Sequence, residues 1–221
     1  WDRPPYNRWA FQHVREVLPT ISVSKGNGPA STLPEAQQDF DALPVRHERD
    51  GRDSTVMDTL LNTYTDGFIV IHNNEVVYEC YLNDMMPSTL HLSQSVAKSV
   101  TATACGILIG RGEIDRDAFI GDLIPELKNS GYGDAPLRHV MDMRSGVKFG
   151  EEYTDPDSDI GKVDVASGWK PMRDGFPTAM QDIPATLTKE RDHGGYFQYR
   201  SIETDVMAWV MERATGKRLA Q

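Results

Sequence analysis

Ser95 and Lys98 are the residues of this 221-residue sequence best suited to chemistry, because they place a hydroxyl and an amine three residues apart. On a helix, that spacing puts both side chains on one face. A serine hydroxyl is a weak nucleophile unless a neighbouring base takes its proton, and S-x-x-K supplies such a base within one turn. The pair predicts a serine nucleophile. The structural alternative makes Ser95 a helix N-cap and Lys98 a solvated first-turn residue.

The same spacing occurs three more times, and neighbouring residues separate the four cases. Only Ser95 precedes a long run of small and apolar residues, which continues to Ile109 and ends at Gly110-Arg111-Gly112. We therefore expect a buried helix, whose N-terminal N–H groups and dipole point at the reacting centre. Glycine lies within or directly after the other three pairs, as is typical of loops. Those pairs are Ser22/Lys25, Ser145/Lys148 and Ser167/Lys170.

A β-hairpin is predicted ahead of this helix. Residues 67–72 and 75–81 are β-rich and flank Asn73-Asn74, and asparagine tolerates the positive φ of a two-residue turn. Two strands alone are marginally stable, and these are apolar enough to belong to a larger sheet, yet no convincing strand follows. The remaining pattern predicts a polar connection at 25–54 and helices at 9–18, 55–64, 119–127, 137–143 and 202–214, the last with Ser201 as candidate N-cap.

A second constellation, Tyr199-Arg200-Ser201, has the form Y-x-S and directly precedes the last predicted helix. With the hairpin and S-x-x-K before it, the sequence resembles the serine β-lactamase and penicillin-binding-protein superfamily. Within it, the resemblance is greatest to class C-like esterases and 6-aminohexanoate-dimer (nylon oligomer) hydrolases. It extends over essentially the whole chain and rests on five ordered stretches, at 7–15, 95–99, 153–156, 168–171 and 197–206.

The resemblance implies an α/β (α+β) fold, with an antiparallel sheet flanked by helices and a mostly helical domain beside it. Residues 1–90 would form the N-terminal part of the α/β domain, and residues 91–221 the helical domain. Both termini of such proteins contribute strands to the sheet. Further strands of this sheet are therefore expected after Gln221, from a C-terminal segment or from a second chain. The family's third element is a Lys/His-x-Gly-type segment on a sheet strand, which also gives an N–H to the oxyanion hole, and no predicted strand of this sequence carries it.

The resemblance also implies the roles of three catalytic residues. Ser95 would be the acylated nucleophile, and Lys98 would take its proton or hold the charge that lets another group do so. Tyr199 would act as general acid/base and protonate the leaving group. Both Lys and Tyr have unperturbed pKa values near 10, so the choice of resting base stays open.

Three further residues are implied to bind substrate. Tyr153 matches a tyrosine that lies over the substrate, and Asp164 matches an acid that would pair with a substrate ammonium. Alternatively, Asp164 is a solvated residue of an acidic segment. Ser201 stands where β-lactamases usually carry Asn, and its shorter side chain lacks the amide fork, which favours esters or amides over β-lactams.

The sequence therefore predicts a serine hydrolase that cleaves small-molecule esters or amides through an acyl-enzyme, of the carboxylesterase or 6-aminohexanoate-oligomer amidase type. The alternatives are a β-lactamase or D-amino-acid peptidase, and a non-catalytic penicillin-binding-like sensor or binding module. No cofactor is expected.

Composition and residue spacing argue against several classes of binding partner. The formal net charge of −10 and the lack of a Lys/Arg cluster argue against a nucleic-acid or anionic-membrane partner. No apolar run approaches the ~18 residues that span a bilayer. Neither the two cysteines nor the six histidines have the spacing of a metal site. No signal peptide is recognised, which favours a cytoplasmic location.

Overall fold

The computed structural model describes residues 1–221, which form two compact units, Trp1–Leu92 and Ser93–Gln221. The first unit carries all of the regular strands, whereas the second is built from helices and loops. None of the helices combines the length and the apolar composition needed to cross a lipid bilayer.

The first unit contains two small antiparallel sheets and three short helices. Its elements are α1 (Asn7–Ala10), α2 (Val14–Val17), β1 (Pro44–Arg46), β2 (Asp53–Thr55), α3 (Val56–Asn62), β3 (Gly67–His72) and β4 (Glu75–Tyr81), with β1 paired to β2 and β3 to β4. The single helix predicted at 9–18 is wrong. The chain leaves the helix at Phe11, whose carbonyl accepts a hydrogen bond of 2.8 Å from the Leu92 N–H.

The predicted hairpin and the helix before it are confirmed. Asn73 and Asn74 have φ values of 51° and 64°, the left-handed conformation that the two-residue turn requires. Val76, Val77 and Tyr78 of β4 are buried, and the Tyr78 hydroxyl donates to Asp41 at 2.5 Å. Helix α3 begins where the Thr55 side chain accepts the Asp58 N–H at 3.1 Å.

The second unit has one hydrophobic core, packed around its last helix. Its helices are α4 (Ala97–Gly110), α5 (Ile120–Leu123), α6 (Leu137–Met141), α7 (Asp159–Ala166), α8 (Asp182–Thr186) and α9 (Ile202–Thr215). Helices α4, α5 and α6 all contact α9. Ile202, Val206 and Val210 of α9 are completely buried, and burial of each such side chain contributes roughly 1.5–3 kcal/mol. Gly216, with φ 67°, ends α9 close to the predicted position.

Three further sequence predictions are wrong, two in the second unit and one in the first. The helix predicted at 119–127 is interrupted before Pro125, which has no N–H to donate and restricts the residue before it. Helices α7 and α8 were not predicted, although the Ser158 side chain caps α7 by accepting the Gly161 N–H at 3.2 Å. The strand β1 and the first two residues of β2 lie inside the segment 25–54 that was predicted as a connection.

Helix α4 was predicted to be buried, and only part of its surface is. Cys105 is fully buried, and Ala104 and Leu108 pack against the core. The opposite side is open, because nothing in the second unit packs against it. Val100 is 70% exposed and Ile107 is 49% exposed.

Candidate active site

Ser95 lies in a single 3₁₀ turn, Gln94–Val96, that leads directly into α4. Gln94 has a φ of 47°, a left-handed conformation that non-glycine residues rarely adopt. Such a conformation costs roughly 1–3 kcal/mol, and residues that hold it concentrate at functional sites. Ser95 itself is exposed, so a substrate can reach its hydroxyl.

Two side chains form hydrogen bonds with the Ser95 hydroxyl. The Lys98 ammonium donates to Ser95 Oγ at 3.1 Å, from one helical turn further along. The Tyr199 hydroxyl donates to the same Oγ at 2.7 Å, from a position 104 residues away in the sequence. Lys98 Nζ also lies 5.5 Å from the centroid of the Tyr199 ring. The structure thus brings Ser95, Lys98 and Tyr199 together within hydrogen-bond reach.

The surroundings of Tyr199 change its acidity. Burial by itself raises the pKa of the phenol, because it disfavours the charged form. The hydrogen bonds with Ser95 and Lys98, together with the positive charge of Lys98, outweigh burial and lower the pKa below its ordinary value of about 10. Tyr199 is therefore easier to deprotonate than a free tyrosine.

The loop before Tyr199 is anchored to a neighbouring loop by backbone hydrogen bonds. Four bonds of 2.8–3.2 Å run from N–H groups of residues 190–198 to carbonyls of residues 143–146. Gly146 has a φ of 70°, and a Cβ at this position would lie 2.4 Å from the Arg191 carbonyl oxygen. Only glycine permits this close approach, which fixes the path of the chain toward Tyr199.

Glu151 joins two of the predicted substrate-binding residues. Its carboxylate accepts the Ser201 hydroxyl at 2.5 Å, the Ser201 N–H at 3.0 Å and the Tyr153 hydroxyl at 2.5 Å. Burial and the bond to Glu151 raise the pKa of Tyr153 to about 12, so its phenol stays protonated near neutral pH. The Ser201 hydroxyl also helps to lower the pKa of Tyr199, which links this cluster to the Ser95 hydroxyl.

The prediction that Ser201 caps α9 is wrong. Its side chain makes no capping hydrogen bond, because the hydroxyl is directed to Glu151 instead. Asp164 lies on α7 and is already partnered: its carboxylate is 2.6 Å from the Lys170 ammonium, and its side chain is 23% exposed. Asp164 is thus an ion-paired residue here rather than a freely solvated one.

Sequence reasoning missed Glu151. One signal was present, since Glu151 and Tyr153 are two residues apart and side chains at that spacing share a side of an extended segment. That signal is weak, because Glu152 and Asp155 are neighbours of the same chemical type. Only the fold distinguishes the carboxylate that meets Ser201.

The arrangement is suited to acyl transfer. A nucleophile within hydrogen-bond distance of a base, with that base oriented by a further group, is the geometry that covalent catalysis requires. Here Ser95 is the candidate nucleophile, and Lys98 and Tyr199 are the groups that can exchange a proton with it.

Comparison with known proteins finds similarity over the whole chain. The β-lactamase family model matches residues 56–221. A 6-aminohexanoate-dimer hydrolase from Paenarthrobacter ureafaciens is 37% identical over 224 residues, which cover 100% of this chain and 54% of that protein.

Solved structures show the same likeness. A candidate 6-aminohexanoate-dimer hydrolase from Bacillus anthracis has a TM-score of 0.87 and 29% identity, with 100% of this chain and 58% of that chain covered. A candidate β-lactamase from Bacteroides dorei has a TM-score of 0.55 and 18% identity, covers 74% of this chain and 46% of its own, and shows the fold alone. The chain thus spans little more than half the length of the first two relatives.

Proposed function

Since this chain belongs to the β-lactamase family, we propose that it carries the nucleophile and proton-transfer groups of a serine hydrolase that cleaves esters or amides through an acyl-enzyme. The family and the β-lactamase-like fold predicted from the sequence are confirmed. The observation that carries the proposed reaction is the pair of hydrogen bonds from Lys98 and Tyr199 to Ser95 Oγ.

Acylation follows from this geometry. Ser95 Oγ attacks the substrate carbonyl carbon while its proton passes to the Tyr199 phenolate, and the carbonyl oxygen takes up the negative charge. The bond to the leaving alkoxide or amine then breaks, and Tyr199 returns the proton to that group. Lys98 stabilises the phenolate by its positive charge. The Ser95 N–H supplies one donor to the oxyanion.

Deacylation uses the same groups in the opposite direction. Tyr199 takes a proton from water as the water oxygen attacks the acyl carbon. The bond from the acyl carbon to Ser95 Oγ breaks, the carboxylic acid is released, and the proton returns to Ser95. The lowered pKa of Tyr199 supports its role as the base in both steps.

The substrate-binding part of the proposal concerns Tyr153, Asp164 and Ser201. Tyr153 is 54% exposed beside the Ser201–Glu151 pair, so its ring is available to cover a bound substrate. Ser201 positions Glu151 and Tyr153 rather than donating to the substrate with its hydroxyl. Asp164 would bind a substrate ammonium in place of the Lys170 ammonium, and the existing ion pair with Lys170 supports this role.

Replacing Asp164 by alanine tests the ammonium role. For an amide substrate with a free amine, we expect kcat/KM to fall about fivefold, which corresponds to a partly exposed ion pair of about 1 kcal/mol, and for a neutral ester to change less than about twofold. Steady-state kinetics on both substrates makes the measurement, and Asp155→Ala in the same acidic segment is the control. An equal loss on both substrates contradicts the ammonium role.

A further part of the proposal is that strands from a C-terminal segment of the same protein cover two apolar faces. In the first unit, Ile69 and Ile71 of β3 are about half exposed, and in the second unit the Val100 side of α4 is open. Large apolar side chains left exposed at neighbouring positions of an element favour an interaction site there. In the full-length protein, carbene footprinting should leave Val100 and Ile71 largely unlabelled. Protection that appears only when a second chain is added would assign the cover to that chain, and labelling in every state contradicts the proposal.

The reaction itself is tested by a substrate panel on the full-length protein. We expect steady turnover of a p-nitrophenyl ester and of the linear 6-aminohexanoate dimer, and slow or no opening of a chromogenic cephalosporin. Release of one equivalent of p-nitrophenol without turnover would favour the sensor module. Faster opening of the cephalosporin than of the ester would favour a β-lactamase.

A further inference from the structure

Arg200 is a completely buried charged residue, and it lies between the two site residues Tyr199 and Ser201. The Tyr199 hydroxyl reaches Ser95, and the Ser201 hydroxyl reaches Glu151. The Arg200 side chain instead enters the interior of the second unit. Arginine is almost never fully buried unless it is paired, so its partners show what it does here.

The partners of Arg200 lie on both sides of Tyr199 in the chain. Its guanidinium donates to the Gln198 side chain at 2.9 Å and to Glu190 at 3.2 Å, and lies 3.6 Å from Glu203 on α9. It also donates to the Gln198 carbonyl at 3.3 Å. One planar group thus ties the loop that precedes Tyr199 to the helix that follows it.

Arg200 and its partners, called the Arg200 cluster below, also contact the loop to which the Tyr199 segment is anchored. Glu203 accepts the hydroxyl of Ser145, and Ser145 Oγ accepts the Val147 N–H at 3.2 Å. Burial raises the pKa of Glu203 to about 7, against the opposing effects of Ser145 and Arg200. Glu190, whose side chain is 35% exposed, is the nearer carboxylate partner of Arg200, at 3.2 Å against 3.6 Å for Glu203.

Stability alone does not account for this cluster. The desolvation free energy of a buried ion pair is about as large as the electrostatic attraction between its two charges. Apolar residues of the same volume therefore often give a fold of equal stability. What a guanidinium adds is a rigid fork that fixes several acceptors at once. Those acceptors flank the one residue whose hydroxyl must stay at hydrogen-bond distance from Ser95.

We propose that Arg200 is a positioning residue, which holds the backbone of Tyr199 so that its hydroxyl stays within hydrogen-bond distance of Ser95 Oγ. The inference rests on the proposed serine-hydrolase function. Arg200 touches neither the substrate nor Ser95 and acts through Tyr199. Its loss should lower the rate of proton transfer more than it weakens substrate binding.

The experiment compares Arg200→Met and Arg200→Lys with the wild type in the full-length protein. A misplacement of about 1 Å can cost about 100-fold in rate, so we expect kcat on a p-nitrophenyl ester to fall about 10- to 100-fold for Arg200→Met, with KM within about threefold. Arg200→Lys keeps the charge but not the fork, and should recover part of the rate.

A second readout does not depend on turnover. With ¹³Cζ-labelled tyrosine, NMR titration follows the Tyr199 phenol, and the Tyr199→Phe spectrum identifies its resonance. In Arg200→Met we expect the pKa of Tyr199 to move up toward its ordinary value, because the phenol loses contact with Ser95 and Lys98. An inactive wild type would contradict the proposed function, while the titration would still test the positioning.

Val206→Ala is the matched control for general destabilisation, since Val206 is also completely buried on α9 and is apolar. It should leave the KM, the kcat and the Tyr199 pKa close to wild type at a temperature where the protein is folded. If the Arg200 variants do not fold, Glu190→Gln takes their place, with an expected loss in kcat of about 3- to 10-fold and the same direction of pKa change. A folded variant with unchanged kcat and Tyr199 titration, or an equal effect in Val206→Ala, overturns the proposal.

Discussion

Ser95→Ala should lower kcat/KM on a p-nitrophenyl ester by about 10⁴- to 10⁶-fold, because no other group at this position can form the acyl-enzyme. Losses of this order accompany removal of the nucleophile in serine hydrolases. The fold should be unchanged, since Ser95 is exposed and its hydroxyl is bonded only to Lys98 and Tyr199. Steady-state kinetics at a fixed pH, with circular dichroism to confirm folding, makes the comparison.

Ser22→Ala is the matched control for this loss. Ser22 has the same S-x-x-K spacing, with Lys25, but lies exposed outside any helix or strand. Its replacement should leave kcat/KM within about twofold of wild type. Substantial residual activity in Ser95→Ala, or a comparable loss in Ser22→Ala, would show that the nucleophile lies elsewhere.

Tyr199→Phe should lower kcat by about 10²- to 10⁴-fold, the contribution typical of a positioned general acid/base. KM should change little, because the phenyl ring stays in place. The pH profile gives a second expectation. Because the phenolate is the active form, the wild-type rate should rise about tenfold per pH unit up to the lowered pKa of Tyr199, and then level off.

That rising limb should disappear in Tyr199→Phe. If Lys98 were the resting base instead, the rate of Tyr199→Phe would still rise with pH, up to the pKa of Lys98. Tyr196→Phe is the control, since Tyr196 is in the same loop and is 67% exposed. A Tyr199→Phe enzyme with the wild-type rate and pH profile would remove Tyr199 from the reaction.

The local parts of the site could be predicted from the sequence, because they depend on spacing along one element. The three-residue step from Ser95 to Lys98, followed by a helix-forming run, is enough to place the amine beside the hydroxyl. The meeting of Tyr199 with Ser95 spans 104 positions, and no periodicity predicts it. Family resemblance supplied that pairing.

Glu151 and Arg200 show what the sequence could not reveal. Both residue types are usually solvated, and the region around Glu151 is rich in acidic residues. Their roles come from burial and from partners such as Ser201 and Glu190, which are 50 and 10 positions away. Tertiary contacts of this kind have no local pattern.

The burial of α4 was overestimated for a related reason. Its composition is small and apolar on nearly every side, which predicts burial all round. The apolar composition of a helix indicates that its surface can be buried. It does not indicate whether the same unit contains an element that covers each side. Here one side packs against α9 and the Val100 side remains open.

The central claim is that Ser95 is the acylated nucleophile, and a mapped covalent label tests it most directly. A fluorophosphonate probe should react with one residue of the full-length protein, and peptide mass spectrometry should place the added mass on Ser95. Labelling should be at least about tenfold slower in Tyr199→Phe, because the proton acceptor is missing. A label on any other residue, or no label on the folded protein, would contradict the account.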